Sequence, residues 1–194
     1  MRRVTGILLA AGASARFGTN KLLVPLANGT PLAVAAARHL RAAVDRCVAV
    51  VRSEDSDLGS LIKAEQFQVV ECARAQDGMG ASLACGIRAS TDADAWLIAL
   101  ADMPFVLPDT IARVAAALRA GAPLAAPIFQ GRRGHPVGFD RRFAPSLLAL
   151  TGDTGARTLL ARCDAQLTRV ECDDPGVLRD VDTPNDVAQR SVAD

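Results

Sequence analysis

Val4-Thr5-Gly6-Ile7-Leu8-Leu9, followed by Ala10-Ala11-Gly12-Ala13-Ser14-Ala15-Arg16-Phe17-Gly18-Thr19-Asn20-Lys21-Leu22, is an apolar run that ends in a loop of small residues. A short continuous apolar run bounded by glycine reads as a buried strand. Beyond it, small side chains let backbone N–H groups approach a ligand closely, and Gly12 and Gly18 permit the dihedrals that aim them. Arg16 and Lys21 add fixed positive charge. A strand entering such a loop forms an anion cradle at the carboxyl end of a sheet. The spacing is not that of a Walker A loop, and Gly12 and Gly18 lie too far apart for G-x-G-x-x-G.

The rest of the chain bounds what that cradle belongs to. Its 194 residues are half apolar and 22% charged, which is the composition of a globular chain, and the length reads as one domain over residues 1–194. A net charge of +1 provides no global field for nucleic acid or an anionic membrane, so any anion site must be local. The five cysteines, Cys47, Cys72, Cys85, Cys163 and Cys172, are odd in number and lack C-x-x-C spacing. That argues against a disulfide scaffold or zinc site and for a reducing compartment, with Cys47, Cys72 and Cys85 as small core residues. No apolar run reaches the ~20 residues of a membrane span. Gly12 and Arg16 cut short the run that follows Arg2 and Arg3, which argues against a signal peptide, so the expected location is the cytoplasm.

Apolar runs of strand length recur at Val4–Ala10, Cys47–Val51, Phe67–Cys72, Ala95–Ala101, Leu124–Ile128 and Leu167–Val170. Helical patterns separate most of them. Pro31 to Ala43 is alanine-rich, with Thr30 as the expected N-cap and Pro31 in the first turn. Asp55 to Ala64 is shorter and more polar. Gly80 to Ala89 puts Leu83 and Ile87 on one face. Asp109 to Ala120 carries Ile111, Val114, Ala115 and Leu118 at helical spacing before Gly121. Pro184 to Val192 forms the final expected helix. This alternation predicts a mostly parallel sheet covered on both faces. It breaks at Phe129–Phe139, where Gly131 and Gly134 in a polar turn predict a small hairpin insertion.

Several residues in this frame can carry chemistry. Asp102 ends the run Ala95–Ala101 just before Met103-Pro104, at the ligand-facing end of a buried strand. It suits Mg²⁺, which takes one or two carboxylates plus substrate phosphates; the alternative is a loop cap. In Arg179-Asp180-Val181-Asp182-Thr183-Pro184, Asp182 or Asp180 could join it, although Asp182 or Thr183 could equally cap the last helix. Gly78-Met79-Gly80-Ala81-Ser82-Leu83 can hold a base edge or phosphate through backbone N–H groups, or simply open a helix. His39 lies in an amphipathic helix and reads as structural. His135, between Gly134 and Pro136, fits a hydrogen bond to substrate or acid–base work. Thr151-Gly152-Asp153-Thr154-Gly155-Ala156-Arg157 reads as a turn and capped helix start, or as a means of placing Arg157 on an anionic group.

In this order the motifs resemble the molybdenum cofactor nucleotidyltransferases, a branch of the nucleotidyltransferases with a Rossmann-like three-layer α/β/α fold. Leu9–Gly18 with Lys21 resembles the family's L-A-A-G-x-S-x-R-M-G-x-x-K signature, with Phe17 in place of methionine. Ala101-Asp102-Met103-Pro104 resembles its metal-binding A-D-M-P. The Gly78–Leu83, Gly134–Val137, Gly152–Arg157 and Asp180–Pro184 segments resemble the cytidylyltransferase branch. The resemblance implies transfer of CMP from CTP to the terminal phosphate of the molybdopterin-type cofactor, with release of pyrophosphate, Mg²⁺ as cofactor and transient contact with a molybdoenzyme. It implies catalytic roles for Arg16, Lys21 and Asp102. Nucleotide contacts would come from Leu9, Ala10, Ala11, Gly12, Lys21, Gly78, Ser82 and Asp102, acceptor contacts from His135 and Arg157, and metal ligands from Asp102 and Asp182. The guanylyl branch reads L-A-G-G where this chain has Ala11, so the Ala11 methyl group would favour the smaller pyrimidine. The rival readings are a guanylyltransferase or other NTP transferase of this fold, and a non-catalytic cofactor-binding chaperone.

Overall fold

The computed structural model describes residues 2–12, 20–183, 186 and 187. Its sheet is built from β1 (Val4–Leu9), β2 (Arg46–Val51), β3 (Gln68–Glu71), β4 (Ala95–Leu100), β5 (Leu124–Phe129), β6 (Arg132–Arg133), β7 (Val137–Asp140) and β8 (Leu167–Glu171). The order is β3-β2-β1-β4-β7-β5, with β6 and β8 also paired to β5. Pairing is parallel from β3 through β4 and between β5 and β8, and antiparallel where β7 enters between β4 and β5. The helices are α1 (Leu32–Arg41), α2 (Ser56–Ala64), α3 (Met79–Arg88), α4 (Pro108–Arg119), α5 (Ala144–Leu148) and α6 (Arg157–Arg162).

Each strand divides its side chains between two cores, because successive residues point to opposite faces. One core joins Val4, Leu8, Ala49 and Leu97 to Leu40 of α1, Ile62 of α2 and Val114 and Leu118 of α4. The other joins Ile7, Val48, Val50, Trp96, Ile98 and Phe139 to Leu83 and Ile87 of α3, Leu147 of α5 and Leu160 of α6. The three-layer α/β/α architecture follows from this double burial. Close approach of helix to sheet uses glycine on both faces. A Cβ on Gly6 would lie 2.9 Å from Leu40 Cγ, and one on Gly86 would lie 2.7 Å from Ile7 Cγ2.

Three expectations change. The hairpin is present, with Ile128 paired to Arg133 and Phe129 to Arg132, but the segment continues into β7, a central strand rather than a peripheral insertion. Pro31, not Thr30, is the N-cap of α1. The Thr30 carbonyl accepts instead from Leu26 N–H in the turn that carries Gly29 at φ +79°. Cys72 and Cys85 are bonded to each other, with Cα atoms 6.2 Å apart. Spacing along the chain did not reveal that α3 folds back over the end of β3. Both cysteines still pack into the second core. Cys47, Cys163 and Cys172 are free; burial pushes the Cys47 thiol up to about 11, against a small opposing effect of Arg41, so it stays protonated and unreactive near neutral pH. The helix expected over 184–192 lies almost wholly outside the described residues, and among these no helix is long and apolar enough to cross a membrane.

Asp140 closes β7. Its side chain is 7% exposed, accepts from Arg142 N–H and Arg142 Nε at 2.9 Å each, and pairs with Arg2. Burial alone would raise its pKa, but the bonds from Arg142 and Arg2 outweigh that and hold the carboxyl below its ordinary value of 3.8. The stabilisation is therefore complete above that ordinary value and is lost as pH falls through the depressed folded value. Asp140→Asn should cost on the order of 1–3 kcal/mol near neutral pH. Urea denaturation of both proteins from neutral to strongly acid pH checks this: the two stability curves should converge at the acid end.

Candidate functional site

A buried ammonium organises the carboxyl edge of the sheet. Lys21 lies in a 3-10 turn over Lys21–Leu23, started by Asn20, whose side chain accepts from Leu22 N–H. Its side chain is 11% exposed. Nζ donates to Asp102 Oδ2 at 2.9 Å, to the Val181 carbonyl at 2.8 Å and to Asp182 Oδ1 at 3.1 Å. Burial works against the charge, but Asp102 and then Asp182 outweigh it and hold the Lys21 pKa above its ordinary value. Asp102 lies two residues past the end of β4, and its carbonyl accepts from Val181 N–H at 2.9 Å, so Val181 is tied to the sheet edge. Asp186 accepts from Asp182 N–H, Thr183 N–H and the Thr183 hydroxyl. The Asp182 carboxylate accepts from Lys21. Asp180 takes no part in this cluster and lines a different cavity.

Two cavities adjoin here. The first, of about 390 Å³, is lined by Leu9, Ala11, Gly12, Lys21, Gly78, Ser82 and Asp102, all expected nucleotide contacts. Ala10 lies beneath them, 1% exposed, with its N–H bonded to the Val50 carbonyl. Arg16 lies outside the described residues. The sequence reading missed Arg52, Gln76, Met79 and Asp153, which line the same space. Arg52 Nε donates to the Ala11 carbonyl at 2.9 Å, which fixes the start of the small-residue loop. Only the position of Arg52 just after β2, on the ligand-facing edge, could have drawn attention to it.

The second cavity, about 450 Å³, has an apolar floor that includes Leu83, Ile98, Val137, Phe139 and Leu160, and its charged groups are Arg133, Arg157, Asp153 and Asp180. His135 and Arg157, the expected acceptor contacts, both line it. His135 is placed by a close backbone contact. Its N–H donates to the Val177 carbonyl at 2.9 Å, and a Cβ on the preceding Gly134 would lie 2.4 Å from that same oxygen. The His135 Nδ1 is the one buried side-chain nitrogen or oxygen without a hydrogen-bond partner among the described residues. Burial pushes the imidazole pKa down, with the Ile98 backbone, Asp102 and Asp180 opposing. His39, by contrast, contacts the Val106 carbonyl through Nδ1 at 3.0 Å, a structural role.

Leu9, Met79, Leu100 and Asp153 line both cavities. Met79 and Asp153 are brought together by an interlock between the Gly78–Ser82 and Thr151–Arg157 segments. Gly80 N–H donates to the Gly152 carbonyl at 2.8 Å. A Cβ on Gly80 would lie 2.7 Å from the Thr151 carbonyl, and one on Gly78 would lie 2.3 Å from Asp153 Oδ1. The two segments that looked like independent helix starts form one contact, and only glycine fits where they meet. Gly78, at φ +107°, also adopts a backbone conformation that side chains disfavour.

Comparison with known proteins bears on what two joined cavities and a lysine held by two carboxylates belong to. Residues 6–169 match the family model described as a MobA-like NTP transferase domain. The chain is 34% identical to the purine catabolism protein PucB of Bacillus subtilis, covering 97% of each chain. It is 31% identical to the nicotine blue oxidoreductase of Paenarthrobacter nicotinovorans, covering 93% of this chain and 92% of that one. The structure of Rv0371c from Mycobacterium tuberculosis in complex with manganese superimposes with a TM-score of 0.77 at 26% identity, covering 96% of each chain. With the family model spanning most of the chain, the protein belongs to the MobA-like NTP transferases and has a Rossmann-like nucleotidyltransferase fold.

Proposed function

We propose that the protein transfers CMP from CTP to the terminal phosphate of a molybdopterin-type cofactor and releases pyrophosphate. The observation that carries this reading is the pair of adjoining cavities at one sheet edge, with Lys21 and Asp102 lining the first, Asp182 bonded to Lys21, and His135 and Arg157 lining the second. Volumes of this order suit small-molecule substrates. CTP takes the first cavity with its phosphates toward Lys21 and Asp102. The acceptor takes the second, with its heterocycle on the apolar floor, a hydrogen bond to His135 Nδ1 and anionic charge toward Arg157.

The chemistry needs position more than proton transfer. An acceptor phosphate is already an anionic nucleophile, so in-line attack on the α-phosphorus requires no general base. Alignment of two substrates and preorganised charge supply the acceleration. Lys21 and Arg16 contribute positive charge at the phosphate end; Lys21 would exchange one of its carboxylate partners to meet a phosphate oxygen. Mg²⁺ fits the donor set, because Asp102 and Asp182 are hard oxygen ligands already turned onto one cation, the Lys21 ammonium. Asp102 and Asp182 would hold it, and when bound it neutralises charge on the nucleotide oxygens. The manganese complex of Rv0371c supports a divalent-cation site in this fold. The preference for CTP rests on Ala11, which is 5% exposed and lines the first cavity; its methyl group takes space that a larger purine would need. The same reading places the reaction in the cytoplasm, with the product handed to a molybdoenzyme in transient contact.

Asp102→Asn should lower the rate of pyrophosphate release about 10²–10³-fold, the usual scale for losing one preorganised electrostatic group, in a protein that still folds but melts at a lower temperature, because Lys21 loses a carboxylate partner. Stopped assays with CTP, Mg²⁺ and purified cofactor measure this, and near-normal turnover at saturating Mg²⁺ overturns the role. Wild-type protein that binds CTP and cofactor without releasing pyrophosphate would mark a carrier rather than a transferase.

Ala11→Gly should shift the ratio of CTP to GTP turnover toward GTP, as expected when one methyl group is removed from a pocket wall. A wild-type preference for GTP would overturn the pyrimidine assignment and leave nucleotidyl transfer standing.

A further inference from the structure

Asp153 lines both cavities, and neither the family motifs nor the mechanism above gives it a role. Its carboxylate has no hydrogen bond or ion pair among the described residues, unlike Asp102 and Asp182. The backbone around it is nevertheless firmly placed. Gly152, the preceding residue, accepts from Gly80 N–H, and Asp153 Oδ1 packs against Gly78 where a side chain would collide. A solvent-exposed carboxylate is thus presented at the seam between the two cavities.

We propose that Asp153 accepts hydrogen bonds from the sugar hydroxyls of the donor nucleotide and so selects ribonucleoside over 2′-deoxyribonucleoside triphosphates. The inference rests on the nucleotidyl-transfer reading, and the order of bonds in the donor carries it. The acceptor phosphate must reach the α-phosphorus, so that atom lies at the seam. The sugar is joined to it through a single bridging oxygen, whereas the base lies farther along the first cavity. An ionised carboxylate accepts hydrogen bonds and donates none, and facing phosphate oxygens it would meet only repulsion. The uncharged donors that the nucleotide brings nearest to the seam are its 2′ and 3′ hydroxyls. Two hydroxyls on adjacent carbons match two carboxylate oxygens, and such charge-assisted bonds are among the stronger ones. Met79, 45% exposed and on the same seam, supplies an apolar surface beside the ring.

Equilibrium binding in Mg²⁺ tests the assignment, with CTP, GTP and the 2′-deoxy form of each as probes. The wild type should bind each ribonucleotide about 10- to 100-fold more tightly than its deoxy counterpart, the range expected for a hydrogen bond to a charged group. Asp153→Ala should bring that ratio close to one by weakening the ribonucleotides alone, and Asp153→Asn should fall between. The base should not matter, so the collapse should appear with CTP and GTP alike. A 3′-deoxy analogue then assigns the second hydroxyl. If Asp153 merely stabilised the start of α3, Asp153→Ala would lower the melting temperature and weaken ribo and deoxy forms equally. That result, or an unchanged ratio, overturns the proposal while leaving nucleotidyl transfer intact. Failure of all four nucleotides to bind the wild type would overturn both.

Discussion

The buried ammonium of Lys21 is the constraint on which the site depends. A cation at this depth is tolerated only when its N–H groups find acceptors, and here three of them come from two parts of the chain: Asp102 after β4, and the adjacent Val181 carbonyl and Asp182 carboxylate. Two carboxylates brought together without that cation would repel one another. The same contact therefore joins the loop after β1, the end of a central strand and a segment about 160 residues away in sequence. Breaking one partner of such a buried cluster is costly because it leaves uncompensated charge behind. That arrangement also keeps two carboxylate oxygens turned onto a single ammonium beside the first cavity.

The second constraint is the direction of β7. In a wholly parallel sheet only strand ends reach the carboxyl edge. Because β7 runs antiparallel to β4, with Val137 opposite Ile98, it is the start of β7 that arrives there. Gly134 and His135 enter the site from that side, next to the Val177 carbonyl. The hairpin through Arg132 and Arg133 thereby places an arginine and an imidazole opposite the residues that follow β1 and β4. The two cavities come from two strand directions, and a reaction joining two substrates can use both.

Much of the fold was legible in the sequence, for a simple reason. A strand buried on both faces must be apolar nearly throughout, so β1, β2, β4 and β5 stand out as runs without any alternation. Helices α1, α3 and α4 show apolar stripes at helical spacing because each covers only one face. The lining of the cavities was legible where its residues are neighbours in sequence: Ala11 and Gly12 after β1, Asp102 after β4, Gly78 with Ser82, and Gly134 with His135. It was not legible where partners meet across the sheet. Arg52 reads as an ordinary surface arginine until its bond to the Ala11 carbonyl is seen. Nothing near Cys72 or Cys85 announces that they face one another. Asp153 looks like a helix cap until Gly80 is found bonded to the residue before it.

The sequence by itself determined the layers, the strand–helix alternation and the family, because local periodicity and contiguous motifs are properties of neighbouring residues. Tertiary structure alone decided how those motifs are shared out. It chose Asp182 over Asp180 as the partner of Lys21: the Val181 carbonyl and the Asp182 carboxylate both accept from the ammonium, whereas Asp180 lines the second cavity. It made β7 a central strand rather than an external flap. It also merged two apparently separate glycine loops into one wall between two cavities. Each of these depends on distances between residues far apart in the chain, and those distances are fixed only when both faces of the sheet are packed.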